Sequence, residues 1–411
     1  MRKICLTILG SFLLFLYSFG QSNSNNSSEY NSPSLKLDET NLISNYYTQT
    51  GNHSAITGGE GTQALTDYSN EIELKFIKTD LLKQNHNVNV DFGFDHHTAA
   101  SAAYVNIDGS SPKGGYRIHG SLNWQVENSE DRTTLGLGAA ISSEYTYHSY
   151  GLNGIYAKHS ADNNQEFMAK GIIFLDGVTL IYPAELRPVT SDVTSTITSA
   201  SGSGTSISAP SIPSKLRSTF GTSFSYSQVI NQSMQVSFLT DLVAQAGYLG
   251  LPFHRIYDNY KNSWVERMPS SRFKFPLGVR FNYFAGDRVI FRTYYRYYVD
   301  TWWINAHTAS IEMAFKITPF ISVSPFYRFY KQTAANFFAP IYGFPYNANY
   351  ATSNYEYSAF NSDYLGINLR LVPINRLIGI KYLSMVELRI GHYKQSTGLV
   401  SNNIALNLRF K

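Results

Sequence analysis

The sequence predicts an all-β fold, a transmembrane antiparallel up-and-down β-barrel of about 16 strands. Three observations carry that expectation. An apolar leader opens the chain, and no long apolar run follows it. Hydrophobicity then alternates with period two over stretches of about ten residues, the length a tilted strand needs to cross a bilayer. The connections between those stretches are alternately short and long, as in barrels that keep tight turns on one side of a membrane.

The leader comes first. Arg2 and Lys3 precede an apolar run from Ile4 to Phe19, and Ser18 and Gly20 place small residues before Gln21. This is the pattern of a secretory signal peptide over residues 1–20. The run is short for a spanning helix, which takes about 20 residues. The single cysteine, Cys5, lies inside the leader, so the exported chain carries no thiol for disulfides, Fe–S clusters or nucleophilic catalysis. Residues 21–38 are rich in Ser and Asn and read as a disordered segment. The barrel domain is expected over residues 39–411.

Composition narrows the class. Lys and Arg number 33 against 29 Asp and Glu, and removing Arg2 and Lys3 leaves 31 against 29. That balance gives no reason to invoke nucleic acid. With 31 Tyr, 26 Phe and 15% charged residues, the chain is built from strand formers. No phosphate loop, dinucleotide fingerprint or zinc-protease motif is present. The expectation is a non-enzyme without a cofactor.

Alternation separates a membrane barrel from a soluble sandwich. Phe273, Phe275, Leu277, Val279, Phe281 and Tyr283 share one face, while Arg272, Lys274, Pro276, Gly278, Arg280 and Asn282 share the other. The same pattern recurs at Val289–Tyr297, Leu365–Leu371, Ile72–Phe76 and Val88–Phe94. Sandwich strands average about 5–6 residues, shorter than these. Tyr and Phe crowd the strand ends like an interfacial girdle. The chain closes on Ile404, Leu406, Leu408 and Phe410, with an aromatic next to the C-terminus. That ending resembles the terminal signal by which barrels meet their insertion machinery.

Strand parity gives the count. Fifteen candidate strands lie between Tyr68 and Lys411. Short connections fall near Glu127–Asp131, Ala161–Asn164, Ile230–Gln232, Ala285–Asp287 and Thr318–Pro319. Long ones cover Asp95–Gly115, Gly177–Lys215, Leu249–Ser270 and Gln332–Phe360. With short turns in the periplasm, the Tyr68 strand runs inward, and a periplasmic N-terminus requires one earlier strand. Asn41–Thr50 is the candidate, which makes sixteen, with 14 or 18 as the neighbouring alternatives.

Four segments resemble an uncharacterised family of Gram-negative outer-membrane proteins catalogued only as a domain of unknown function. They are YYTQTGNHSAITGGEGTQALTD (Tyr46–Asp67), AGYLGLPFHRIY (Ala246–Tyr257), YRYYVDTWWINAHT (Tyr295–Thr308) and YRFYKQTAANFF (Tyr327–Phe338). The resemblance implies one full-length outer-membrane barrel and names no substrate or catalytic residue.

The strand faces supply the candidate functional residues. Placing each polar face inward puts Arg272, Lys274, Arg280, Arg292, Arg296, Arg328, Arg370, Arg389 and Arg409 in the lumen, with Asp241, Glu312 and Glu387. The early strands contribute Glu71, Glu73, Asp91, Asp95 and Glu144, with Lys75 and Arg117. One wall is then basic and the other acidic. Opposed walls of this kind orient dipolar solutes and tune ion selectivity. A closed, salt-bridged interior is the competing expectation.

Three weaker constellations need placing. His53 and Ser54, in a glycine-rich loop, faintly echo an outer-membrane phospholipase, but neighbouring residues on an extended chain point to opposite faces. Asp95, His96 and His97 offer metal-ligand chemistry at a loop base, with the same geometric objection. Trp302 and Trp303, with Tyr295 and Tyr297, read as an interfacial anchor. The functional expectation is therefore a pore or solute translocator in the outer membrane, partnered by lipid, the insertion machinery and a small solute. A non-conducting surface platform is the alternative, and a membrane hydrolase the third.

Overall fold

The computed structural model describes residues 34–98, 114–180, 214–372, 380 and 382–411. Sixteen long strands form one closed antiparallel ring. The first eight follow the chain as β1 (Lys36–Thr50), β2 (Leu65–Thr79), β3 (Gln84–His97), β4 (Gly115–Asn128), β5 (Thr133–Glu144), β6 (Tyr147–His159), β7 (Gln165–Thr179) and β8 (Ser214–Asn231). After β9 (Met234–Gly247), two three-residue strands, β10 (Arg255–Tyr257) and β11 (Ser263–Val265), pair only with each other. The ring resumes with β12 (Ser271–Ala285), β13 (Val289–Asp300), β14 (Asn305–Lys316), β15 (Ile321–Gln332), β16 (Phe360–Leu371), β17 (Leu383–Gln395) and β18 (Val400–Phe410).

Each ring strand pairs with its predecessor, and β1 closes on β18 from Thr40↔Phe410 to Thr50↔Val400. Closure leaves the ring without a sheet edge, as a backbone surrounded by hydrocarbon requires. The expected segment Asn41–Thr50 is thus paired with β18 throughout and with β2 as far as Gln49. The strand itself begins earlier than the expected boundary at residue 39, because Lys36 and Leu37 already pair with Ile77 and Phe76. The expected signal peptide and most of residues 21–38 lie outside the described residues, as do 99–113 and 181–213 within the long connections.

Period two now has a spatial meaning. Leu135, Leu137, Ile141, Leu152 and Leu175 all stand exposed on the outer wall. Such a surface is stable only against lipid. Among the described residues no helix is long and apolar enough to cross a membrane. The strands carry the crossing, and their alternate residues face inward.

Chain direction sorts the two ends. One end holds tight turns such as Asp80–Lys83 and Gln232–Ser233, together with the start of β1 and the end of β18. The other holds the long connections, plus three tight turns at Tyr145–Thr146, Thr301–Ile304 and Ser396–Leu399.

At the long-loop end, the connections 51–64, 248–270 and 333–359 pack into a common body. Asp258 bridges to Phe344, Arg267 to Ala351 and Phe338 to Thr352. Arg255 donates Nη1 to the Ile56 carbonyl at 2.5 Å, and the His53 ring stacks on Tyr355 at 3.8 Å. Two apolar clusters fill it: Trp302, Ile304, Ala335 and Phe337, then Ile256, Phe344 and Ala351. Gly58, at φ 78°, lets the chain turn against Tyr257, where a Cβ would collide with the ring.

The ring order shows where this body sits. Six strands separate β12 from β1, and six separate β9 from β2. Loops 248–270 and 51–64 therefore rise from opposite points of the rim, and their contact spans the mouth along a diameter. Loop 333–359 rests on inward-facing wall residues: Gln332 donates Nε2 to the carbonyls of Glu356 (2.9 Å) and Ser358 (2.6 Å).

Candidate functional site

Below this bar, the inward residues of β12 to β17 enclose a cavity of about 870 Å³. Arg280, Arg292, Arg296, Arg328 and Arg389 line it, and Glu312 is its single carboxylate. Antiparallel pairing brings them together by placing directly opposed residues on one face. Arg292 stands opposite Asn282 and Glu312, and Arg328 opposite Ser310 and Tyr364. Glu312 accepts from Arg292 Nη1 at 2.6 Å, while Arg389 Nη1 lies 3.7 Å from its other oxygen. Among the described residues Arg280, Arg296 and Arg328 have no carboxylate within ion-pair distance. Their guanidiniums lie over rings instead, at 6.0 Å from Tyr294, 6.0 Å from Tyr298 and 5.0 Å from Tyr364. That leaves the charge uncompensated and holds each side chain in place.

Across the lumen, β1 to β4 with β6 and β7 enclose a second cavity of about 430 Å³. Glu39, Glu73 and Asp91 line it with Lys75, Lys170 and several amides. Glu71, Glu73 and Asp91 each bring a carboxylate oxygen to within 4.8 Å of the others. Wall donors already engage two of them: Asn41 donates to Glu73 at 3.1 Å and Ser121 to Asp91 at 2.6 Å. The three half-buried acids thus form an acidic surface that its own wall partly solvates.

The other lumen candidates separate. Arg272 does not line the cavity, and its guanidinium binds the fully buried Asp300 carboxylate at 2.5 Å. It also lies 4.2 Å above the Trp302 ring. Arg370 sits 4.0 Å from Glu387, outside the cavity lining. Arg409 joins the acidic side, 3.1 Å from Glu39, because closure sets β18 beside β1. Asp95 holds Arg117 at 2.6 Å, and His97 approaches Glu144 at 3.8 Å.

The geometry places the remaining constellations. Asp95 and His97 face inward, whereas His96 pairs with Tyr68 and Tyr116 on the outer face, so the three form no common metal site. His53 gives its Nδ1 to the Gly59 carbonyl at 3.0 Å and its face to Tyr355. Ser54 opens the turn that follows, and no Ser–His pair forms there. Trp302 is buried at 3% exposure, edge-on to Phe337 and Tyr357, so it anchors the loop body and not an interface. Trp303 is exposed at 68%, and Tyr295 and Tyr297 meet His307 on the outer wall.

Sequence reasoning passed over two features. Tyr294, Tyr330, Tyr364 and Tyr393 line the basic cavity. Their parity with the arginines was the available signal, but tyrosine in a barrel strand reads first as girdle. The second feature is the polar centre of the loop body. Glu266 accepts from the Thr352 hydroxyl and from Leu251 N (3.2 Å), and lies 3.3 Å from His254 Nδ1. Burial alone would raise the Glu266 carboxyl, but His254 and the two donors outweigh it and hold it below its ordinary value. Burial pushes the neighbouring Tyr357 phenol up to about 12.

The family model described as "Protein of unknown function (DUF3570)" matches residues 109–397. No curated protein matches the chain. Among solved structures, a BenF-like porin from Pseudomonas fluorescens Pf-5 is similar at 6% identity, covering 92% of this chain and 100% of that one, with a TM-score of 0.46. The outer membrane protein OprD from Pseudomonas aeruginosa is similar at 9% identity, covering 92% and 93%, with a TM-score of 0.42. Acinetobacter baumannii OccAB4 is similar at 6%, covering 92% and 98%, with a TM-score of 0.36. At these identities the likeness extends to no residue of either wall.

Proposed function

Since the chain belongs to the family described as proteins of unknown function (DUF3570), its role has to be read from its own walls, and we propose an outer-membrane channel with a transverse lumen field. The supporting observation is the pair of opposed cavities. One holds five arginines and one carboxylate; the other holds Glu39, Glu73 and Asp91 against two lysines. Barrels of sixteen strands are wide enough for an aqueous channel. Water inside such a bore screens charges incompletely near low-dielectric walls, so the field acts on whatever passes.

The route follows from the ends. A solute entering from the long-loop end meets the bar of loops, then the arginines of β12 to β17. The apolar outer wall supports an outer-membrane location, as does the leader expected from the sequence, with the insertion machinery as the partner that places it there. No step of bond chemistry is called for. Planar-bilayer recording of the refolded chain tests the channel. Discrete open steps with charge selectivity are expected, and silence from a folded barrel contradicts it.

The bar across the mouth favours a second reading, a non-conducting platform that presents its long loops to a surface partner. Silence in the bilayer selects that reading.

A further inference from the structure

The basic cavity has a composition more specific than positive charge. Across the ring, one row reads Arg280, Tyr294, Ser310, Arg328, Tyr364 and Tyr393, each residue directly opposite the next. The adjacent row, two residues along each strand, runs from Arg296 through Thr308 and Tyr330 to Ser362. Diagonal neighbours on paired strands sit about 7–8 Å apart. Strands lie about 4.8 Å apart, so Arg280 and Arg328, three strands apart, are separated by about 14 Å along the wall. The three guanidiniums without carboxylate partners thus form a triangle, and hydroxyl groups fill the space between its corners.

We propose that this cavity binds polyhydroxylated solutes carrying two or more anionic groups, the class of sugar bisphosphates and acidic disaccharides. This rests on the channel reading for the solute's route to the cavity. One anion alone satisfies one corner and leaves two guanidiniums in water. Two anions on one body engage two corners, and a planar guanidinium takes an oxyanion bidentately. Between the corners, Thr308, Ser310 and Ser362 both donate and accept, as sugar hydroxyls do. Aliphatic polyanions leave those hydroxyls unmatched. The cavity volume suits one or two sugar rings.

The test is equilibrium binding to the full chain folded in detergent micelles, read by titration calorimetry at fixed salt. The probes are fructose 1,6-bisphosphate, fructose 6-phosphate, fructose, and hexane-1,6-diol bisphosphate, which keeps both phosphates without the hydroxyls. The expected order puts fructose 1,6-bisphosphate at least about tenfold tighter than the monophosphate and the diol bisphosphate, with no heat from fructose. At least two of the substitutions Arg280→Gln, Arg296→Gln and Arg328→Gln weaken it about tenfold each, one for each corner that a phosphate occupies. Arg288→Gln, in the β12–β13 turn, leaves it unchanged, and heat-modifiable gel migration checks that each variant is folded.

Equal affinity for the mono- and bisphosphate overturns the proposal. So does equal affinity for the diol bisphosphate, or an equal loss in Arg288→Gln. Calorimetry needs no current, so the two claims fail separately. A conducting barrel without this preference retains the channel and loses the ligand class. A barrel that binds the bisphosphate but never conducts does the reverse.

Discussion

Arg292 and Glu312 face each other across the β13–β14 pair, with Nη1 donating to Oε1 at 2.6 Å. The same carboxylate has Arg389 Nη1 3.7 Å from its other oxygen. One acid therefore tempers two of the five arginines in the basic cavity, and it is the residue through which the wall's charge is most simply raised.

Glu312→Gln should strengthen anion preference. Removing the carboxylate leaves both guanidiniums uncompensated, and an increase of about twofold in the anion-to-cation permeability ratio is expected. Arg292→Gln combined with Arg296→Gln should move the reversal potential the other way, toward cations. If the double variant keeps the wild-type reversal potential, the lumen field plays no part in selectivity.

The loop body depends on a buried hydroxyl. Thr352 is fully buried and its Oγ1 donates to Glu266, while Leu251 N supplies the facing donor. Thr352→Val leaves a buried carboxylate oxygen short of a partner, a cost of about 1–3 kcal/mol to local stability. Trypsin should then cut sooner at Lys261 or Arg267 in loop 248–270, with the barrel itself intact. Unaltered cleavage kinetics would mean the body is held elsewhere.

Acid should loosen the same body. The Glu266 carboxyl is held below its ordinary value of 4.5 in the folded chain. A depressed carboxyl contributes stability in full above that ordinary value, and the contribution is lost as pH falls through the lower folded one. Tryptophan fluorescence, which reports Trp264 and Trp302 in the loop body, should therefore change on acidification below about 4.5. Glu266→Gln should remove that transition. A transition that survives the substitution belongs to another group.

The outer wall carries its own test. Leu137 is 68% exposed on the face that meets lipid. Leu137→Arg should cost about 2–4 kcal/mol if the position lies near the bilayer midplane. Urea unfolding from lipid vesicles measures it, and a neutral result would place this face outside the hydrocarbon.

Much of the fold was legible because a strand's period of two writes both faces into the sequence. Phe273–Tyr283 displays the lipid face and the lumen face of β12 side by side. Parity of turns then demanded β1 before any pairing was known. Pairings created by closure were not legible: Arg409 meets Glu39 only because β18 folds back onto β1, nearly the whole chain away. The loop body was hidden for a different reason. Its contacts have no period, and Trp302 is drawn inward by Phe337 and Tyr357 from another loop. Local sequence around Trp302 and Trp303 therefore suggested an anchor for both, while only Trp303 is exposed.

The most direct test of the opposed-wall channel is the reversal potential of the refolded wild-type chain in a planar bilayer under a salt gradient, compared with the Arg280→Gln, Arg296→Gln, Arg328→Gln triple variant. The expected result is discrete conductance in both, anion preference in the wild type, and a shift toward cations in the variant. Identical reversal potentials from two conducting barrels would contradict the lumen field, and absence of conductance from a verified folded barrel would contradict the channel.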